Sequence, residues 1–140
     1  MNTIIELHDS VVAEVATQGS AVDVHFRPAY IHKSEGRPGF DAGTGWVQDA
    51  VLIFQEAVAA GEAPDLPCEI LTGELTVGGQ RHDNHIPVPL VAEADTELRL
   101  VFDSMHTVKV RGGSVRLMWF GEPRCVGEFC RPQARGATSV

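Results

Sequence analysis

The chain has 140 residues, of which 44% are hydrophobic and 21% charged, and its formal net charge is −8. That length fits one domain with its own core and leaves no room for two ordinary ones. The acid excess argues against a general nucleic-acid binder, which would be basic.

From the N-terminus, MNTIIELHDSVVAEV has no basic stretch ahead of an apolar one, so it does not read as a secretory signal. The next feature, Leu7-His8-Asp9-Ser10, sets the residue types of a hydrolase triad side by side. Neighbours on a strand point to alternate faces, and no G-x-S-x-G elbow occurs in the chain, so Asp9-Ser10 reads as a turn. Val11, Ala13 and Val15 then share a face, and Gln18-Gly19 turns the chain into residues 20–27. There Val22, Val24 and Phe26 alternate with Asp23, His25 and Arg27, the pattern of a half-buried antiparallel strand.

Residues 34–45 hold four glycines and a proline and read as a long loop without a phosphate-binding motif. Over 46–60 the signal divides. Val47, Ala50, Val51, Phe54, Ala57 and Val58 have helical spacing, yet a strand with both faces covered also buries Leu52 and Ile53. The run Ala50 to Phe54 is the longest strongly apolar one and is far too short to cross a bilayer. A turn over 61–67 leads into a strand over 69–77.

The stretch GGQRHDNHIPVPL, residues 78–90, is the nearest approach to a chemical signature. Gly78-Gly79 before it, with Pro87 and Pro89 after it, exclude the helix that usually brings two histidines to one metal. A tight turn at Asp83-Asn84 would be needed to converge His82 and His85, with a third ligand from His25, His32 or His106. The cupin pattern, H-x-H followed by Glu, is absent.

Further on, Leu98, Leu100 and Phe102 alternate with polar residues, and Val108 and Val110 follow. Gly112-Gly113 then precedes Val115, Leu117 and Trp119. Two glycines between alternating runs signal a hairpin, so residues 97–120 are expected to form a three-stranded meander. In that pairing Arg99, Lys109, Arg111 and Arg116 share one outward face, a candidate site for an anion.

Residues 1–80 carry three bases against twelve acids, net −9, whereas 81–140 carry eight bases against seven acids, net +1. No Lys or Arg lies between Arg37 and Arg81, so an acidic first half is a second candidate surface, for a basic partner. Cys68, Cys125 and Cys130 make an odd count with no C-x-x-C and read as reduced thiols in a cytoplasmic protein.

Residues 6–31, ELHDSVVAEVATQGSAVDVHFRPAYI, resemble the opening of small bacterial all-β proteins, some of them immunity-type proteins that bind and block a partner toxin. The resemblance spans less than a fifth of the chain and implies fold class more than activity, and its pattern supplies no catalytic residues to carry over.

The expected architecture is all-β: a single antiparallel β-sandwich or small barrel over 1–130 with the meander at 97–120. It allows at most one short helix near 46–60, with a flexible tail over 131–140. The expected function is a non-enzymatic binding module without a cofactor. It would act on a protein partner or as a homodimer, through the basic meander face, the acidic half or strand pairing at an open edge. The alternative is a metal-dependent β-barrel enzyme or sensor built on His82 and His85. A third possibility is a small ligand in a barrel mouth lined by Tyr30, Trp46 and Trp119.

Overall fold

The computed structural model describes residues 1–129; the tail over 131–140 lies outside them. Period-two alternation buries one side of most segments, and the described residues form twelve β-strands and no helix. They are β1 (Asn2–Glu6), β2 (Val11–Gln18), β3 (Ala21–Ser34), β4 (Gly43–Gln55), β5 (Val58–Gly61) and β6 (Cys68–Val77). These are followed by β7 (Gln80–Asp83), β8 (His85–Val88), β9 (Val91–Ala92), β10 (Thr96–Phe102), β11 (Thr107–Gly112) and β12 (Ser114–Phe129).

All pairings are antiparallel, and the main path runs β5-β11-β10-β6-β2-β3-β4-β12-β9, with β1 on β3, β8 on β1 and β7 on β6. The ends of the path, β5 and β9, do not pair with each other, so the sheet is open rather than a closed barrel. The strand pairing that joins its two parts is limited to Val11 with Glu69 and Val12 with Cys68, where β2 meets β6. Their inner faces nevertheless share one core. Phe26, Leu52 and Phe54 come from β3 and β4, while Ile70, Leu98, Leu100 and Phe102 come from β6 and β10.

Residues 46–60 lie in β4 and β5, with only Glu56 and Ala57 connecting them, and are not helix. Pairing with β3 on one side and β12 on the other satisfies the β4 backbone, and Ala50, Leu52 and Phe54 fill the core. Val51 is buried to 2% exposure on the opposite face, outside that core. In β2 a register shift after Val12 puts Val12 in the core, in place of the face expected for Val11 and Ala13.

The expected meander is half present. β10 and β11 form a hairpin, but β12 leaves β11 and pairs with β4 and β9. Gly112-Gly113 is therefore a crossover between the two parts of the sheet, and neither glycine takes the positive φ of a primed turn. Close approach explains glycine here: a Cβ on Gly112 would stand 3.0 Å from the Gln55 carbonyl oxygen and 3.2 Å from Phe54 Cβ. Gly113 N–H donates to Gln55 O at 2.9 Å, which starts β12 beside β4.

Truncating a core phenylalanine leaves a cavity in a close-packed interior, so Phe54→Ala is expected to lower unfolding free energy by about 3–5 kcal/mol in urea titration. Phe120→Ala, at a position 50% exposed, is expected to stay within about 1 kcal/mol.

Candidate functional site

The histidine stretch converges. Asn84, at φ 58°, forms the corner between β7 and β8 and is held on three sides. Its N–H donates to Gly73 O at 2.8 Å, its carbonyl accepts from Leu7 N–H at 2.9 Å, and its Oδ1 accepts from His8 N–H at 3.1 Å. The corner brings the His82 and His85 rings edge to face, with centroids 5.3 Å apart. His85 Nδ1 lies 2.9 Å from the Asp83 carbonyl oxygen. A carbonyl only accepts, so Nδ1 carries the proton and the neutral ring keeps its Nε2 lone pair. Partial burial, then the neighbouring His85, push the His82 pKa below its ordinary value.

No third ligand joins them: among the described residues no group of three or more His, Cys, Asp or Glu side chains is placed to hold a metal. The histidines expected to help are engaged elsewhere. His106 Nδ1 lies 2.9 Å from the Ser104 hydroxyl, and His25 lines a cavity beside Phe120. His32 is 5% exposed, and its Nε2 meets a Glu6 carboxylate oxygen. Tyr30 stacks at a tilt on His32 with centroids 5.1 Å apart. Burial first, then the charges of Glu6 and Asp9, raise the Tyr30 pKa. This Glu6–His32–Tyr30 cluster was not legible in the sequence, because its members come from two strands whose pairing only the register reveals.

Leu7-His8-Asp9-Ser10 is structural. Ser10 is fully buried, its hydroxyl donates to Glu6 O at 2.6 Å, and it accepts from Tyr30 N–H at 2.9 Å. The aromatics expected at a barrel mouth are dispersed: Trp46 and Trp119 pack against the core, and Tyr30 lies over Gly45.

The basic residues are interleaved with acids. Arg99 pairs across with Lys109 on β11 and with Glu74 on β6, while Arg111 pairs with Glu97. Glu97 lies 3.5 Å from Arg111 and 4.0 Å from Lys109, and Glu74 is ion-paired to Arg81. Arg116 is on β12, opposite Ile53 and Val91, and faces away from the other three. Their expected union depended on a β11–β12 hairpin that does not form. The single-sign face is therefore replaced by alternating charges on the outer side of β6, β10 and β11.

Two features were missed by sequence reading. A cavity of about 630 Å³ sits where register shifts in β3 and β12 flank β4, between Arg27, Asp49, Phe120 and Arg124. A second, of about 550 Å³, lies at one end of the mixed-charge face, against Glu56, Val58, Asp95, Glu97 and Arg111.

Val58 belongs to β5, the strand that ends the sheet. All four of its residues are exposed, Val58 to 70%. Glu62 N–H donates to Thr107 O at 3.0 Å, and Phe102 N–H donates to His106 O at 3.0 Å. Antiparallel alternation then directs the backbone groups of Val58 and Ala60 to β11 and those of Ala59 outward. Gly61, at φ 94°, ends the strand where a Cβ would collide with the Thr107 carbonyl oxygen.

No family model, curated protein or solved structure matches the chain. Among the described residues, no helix is long and apolar enough to cross a membrane.

A lowered histidine pKa means that the unfolded chain takes up the proton first. Stability contributed at His82 is then full at high pH and is lost as pH falls through the ordinary value of about 6.5. Urea midpoints are expected to drop more between about pH 7.5 and 5.5 in the unaltered protein than in His82→Gln; equal drops refute this. Zinc added to untagged protein is expected to be lost on dialysis. Retention near one equivalent that disappears in His82→Ala would instead show that ligands beyond the described residues complete a site.

Proposed function

We propose that this protein is a non-enzymatic binding module that takes a protein partner by strand addition at the open edge of β5. The observation that carries this reading is the outward-facing, unpartnered backbone of Ala59 in a strand exposed along its whole length. Strand addition needs such a row of free N–H and C=O groups, and the side chains beside them must leave room for another backbone. Val58, Ala59, Ala60 and Gly61 supply no charge, proline or large polar group to obstruct it.

The other end of the sheet is guarded by comparison. β9 covers β12 at Val115 and Arg116, and Leu117 N–H is taken by Leu90 O at 3.0 Å. Beyond that, β12 shifts register between Phe120 and Arg124 and again between Cys125 and Gly127, with Pro123 inside the first irregularity. Bulges, charge and proline are the standard protections of an edge. β5 has its shortness to protect it and, just before its start, the Ser20 carbonyl oxygen, which accepts from Ala57 N–H at 2.8 Å.

Some of the small all-β proteins that residues 6–31 resemble are immunity-type proteins, and a partner-occupying role is of the same kind. The anion-binding version of the reading loses support, because Glu97 lies within 4.0 Å of both Lys109 and Arg111, and Arg116 stands on another strand. A metal-dependent role for His82 and His85 retains the convergence of the two rings and lacks further ligands among the described residues.

Native-state hydrogen exchange tests the open edge directly. The Ala60 amide, directed to β11, is expected to exchange at least about tenfold more slowly than that of Ala59, which faces outward. Ala59→Pro removes only the outward donor and is expected to leave the urea midpoint nearly unchanged, whereas Ala60→Pro breaks the β11 ladder and lowers it clearly. Equal exchange at the two amides would remove the basis for strand addition.

A further inference from the structure

We propose that the segment added to β5 is basic, and that a Lys or Arg side chain from it seats in the carboxylate-lined cavity beside Val58. This rests on the strand-addition reading and names the chemistry of its partner.

The cavity and the edge share Val58, so a side chain on an added strand next to that residue lies at the cavity's rim. Val58, Arg111, Glu97 and Thr76 form one cross-strand row on the outer face, and Glu56 and Asp95 stand at its end. Three acids therefore line a space that contains one base, Arg111, and that base is already engaged by Glu97 at 3.5 Å. Glu56 and Asp95 make no ion pair within 4.0 Å among the described residues. Both carboxylates are thus placed to meet a cation carried by a partner. Glu56 is also held at φ 48° in the short connection from β4 to β5, which fixes a carboxylate immediately before the edge. Its side chain lies against Gly113, with Oε2 3.5 Å from where a Cβ on that glycine would be.

Charge along the chain points the same way. The stretch without Lys or Arg runs from Arg37 to Arg81 and includes all of β5, with Glu56 just before the strand and Glu62 and Asp65 just after it. An incoming strand with basic residues meets favourable charge at both ends of the edge. A second copy of this chain does not. Antiparallel pairing of two β5 strands about Ala59 sets Glu56 of one copy opposite Glu62 of the other, and like charges so placed repel. Backbone pairing supplies the affinity in this arrangement, and the cavity supplies the preference for charge.

The test uses the full chain and three fluorescent peptides of eight residues with identical alternating Thr/Val cores. Their flanking positions carry Lys, Gln or Glu, and binding is read by anisotropy together with amide shifts at residues 58–61. The expected result is binding of the Lys peptide about tenfold tighter than the Gln peptide at low salt, with the Glu peptide weaker still. That preference is expected to shrink at high salt and to fall in Glu56→Gln/Asp95→Asn. Ala59→Pro is expected to abolish binding of every peptide. N-methylating alternate backbone amides of the Lys peptide is expected to do the same without altering the protein.

Equal binding of all three peptides, lost in Ala59→Pro, overturns the basic segment and leaves strand addition standing. A Lys preference that survives both Ala59→Pro and N-methylation overturns strand addition. Absence of binding by any peptide overturns both. A concentration-dependent doubling of mass that Ala59→Pro removes overturns the choice of partner in favour of a second copy.

Discussion

Every strand interior to a sheet has neighbours on two sides to satisfy its backbone donors and acceptors, and this architecture turns on where those neighbours run out. β3 and β4 are the centre of the arrangement. Over 14 residues β3 takes β1 and β2 along one side and β4 along the other, and β4 carries β12 on its far side. Because a one-residue slip would turn Phe26, Leu52 and Phe54 out of the core, burial of these side chains holds the register. That register in turn brings Glu6, Tyr30 and His32 together on the opposite face.

The two parts of the sheet fold onto one core and leave the path open. At the β12 end, irregular pairing and a short covering strand close off the edge. At the β5 end no strand pairs on the outer side of Val58–Gly61, and Glu56 and Asp95 beside it make no ion pair within 4.0 Å among the described residues. Accessibility and electrostatics thus fall at the same place, which is why that end, rather than the face with the most arginines, is the strongest candidate for recognition. The bases on β11 are instead engaged locally, since cross-strand neighbours interact pair by pair and Glu97 lies within 4.0 Å of both Lys109 and Arg111.

The histidine corner illustrates a different dependence. Asp83-Asn84 chemistry is enough to make a tight turn, and the residue with positive φ is the asparagine. Three hydrogen bonds, one to Gly73 on β6 and two to Leu7 and His8 in the segment after β1, then fix how far the corner closes. Convergence of the two rings follows from the turn, but a metal site requires ligands from other strands, and the register places His25, His32 and His106 elsewhere.

Local periodicity therefore determined a great deal. Alternation in residues 20–27 and 97–102 was sufficient for strands and for which side is buried, because side-chain direction in a strand depends only on parity. The acidity of residues 38–80 and the turn chemistry of Asp9-Ser10 and Asp83-Asn84 were equally readable. Tertiary structure decided everything that depends on which strand lies beside which. It made Gly112-Gly113 a crossover instead of a hairpin, removed Arg116 from the other bases and resolved 46–60 as strand. It also left Ala59, paired with Val110 on one side, without a strand on the other. Pairing partners are chosen by burial and backbone satisfaction summed over the whole sheet, and no window of the sequence contains that sum.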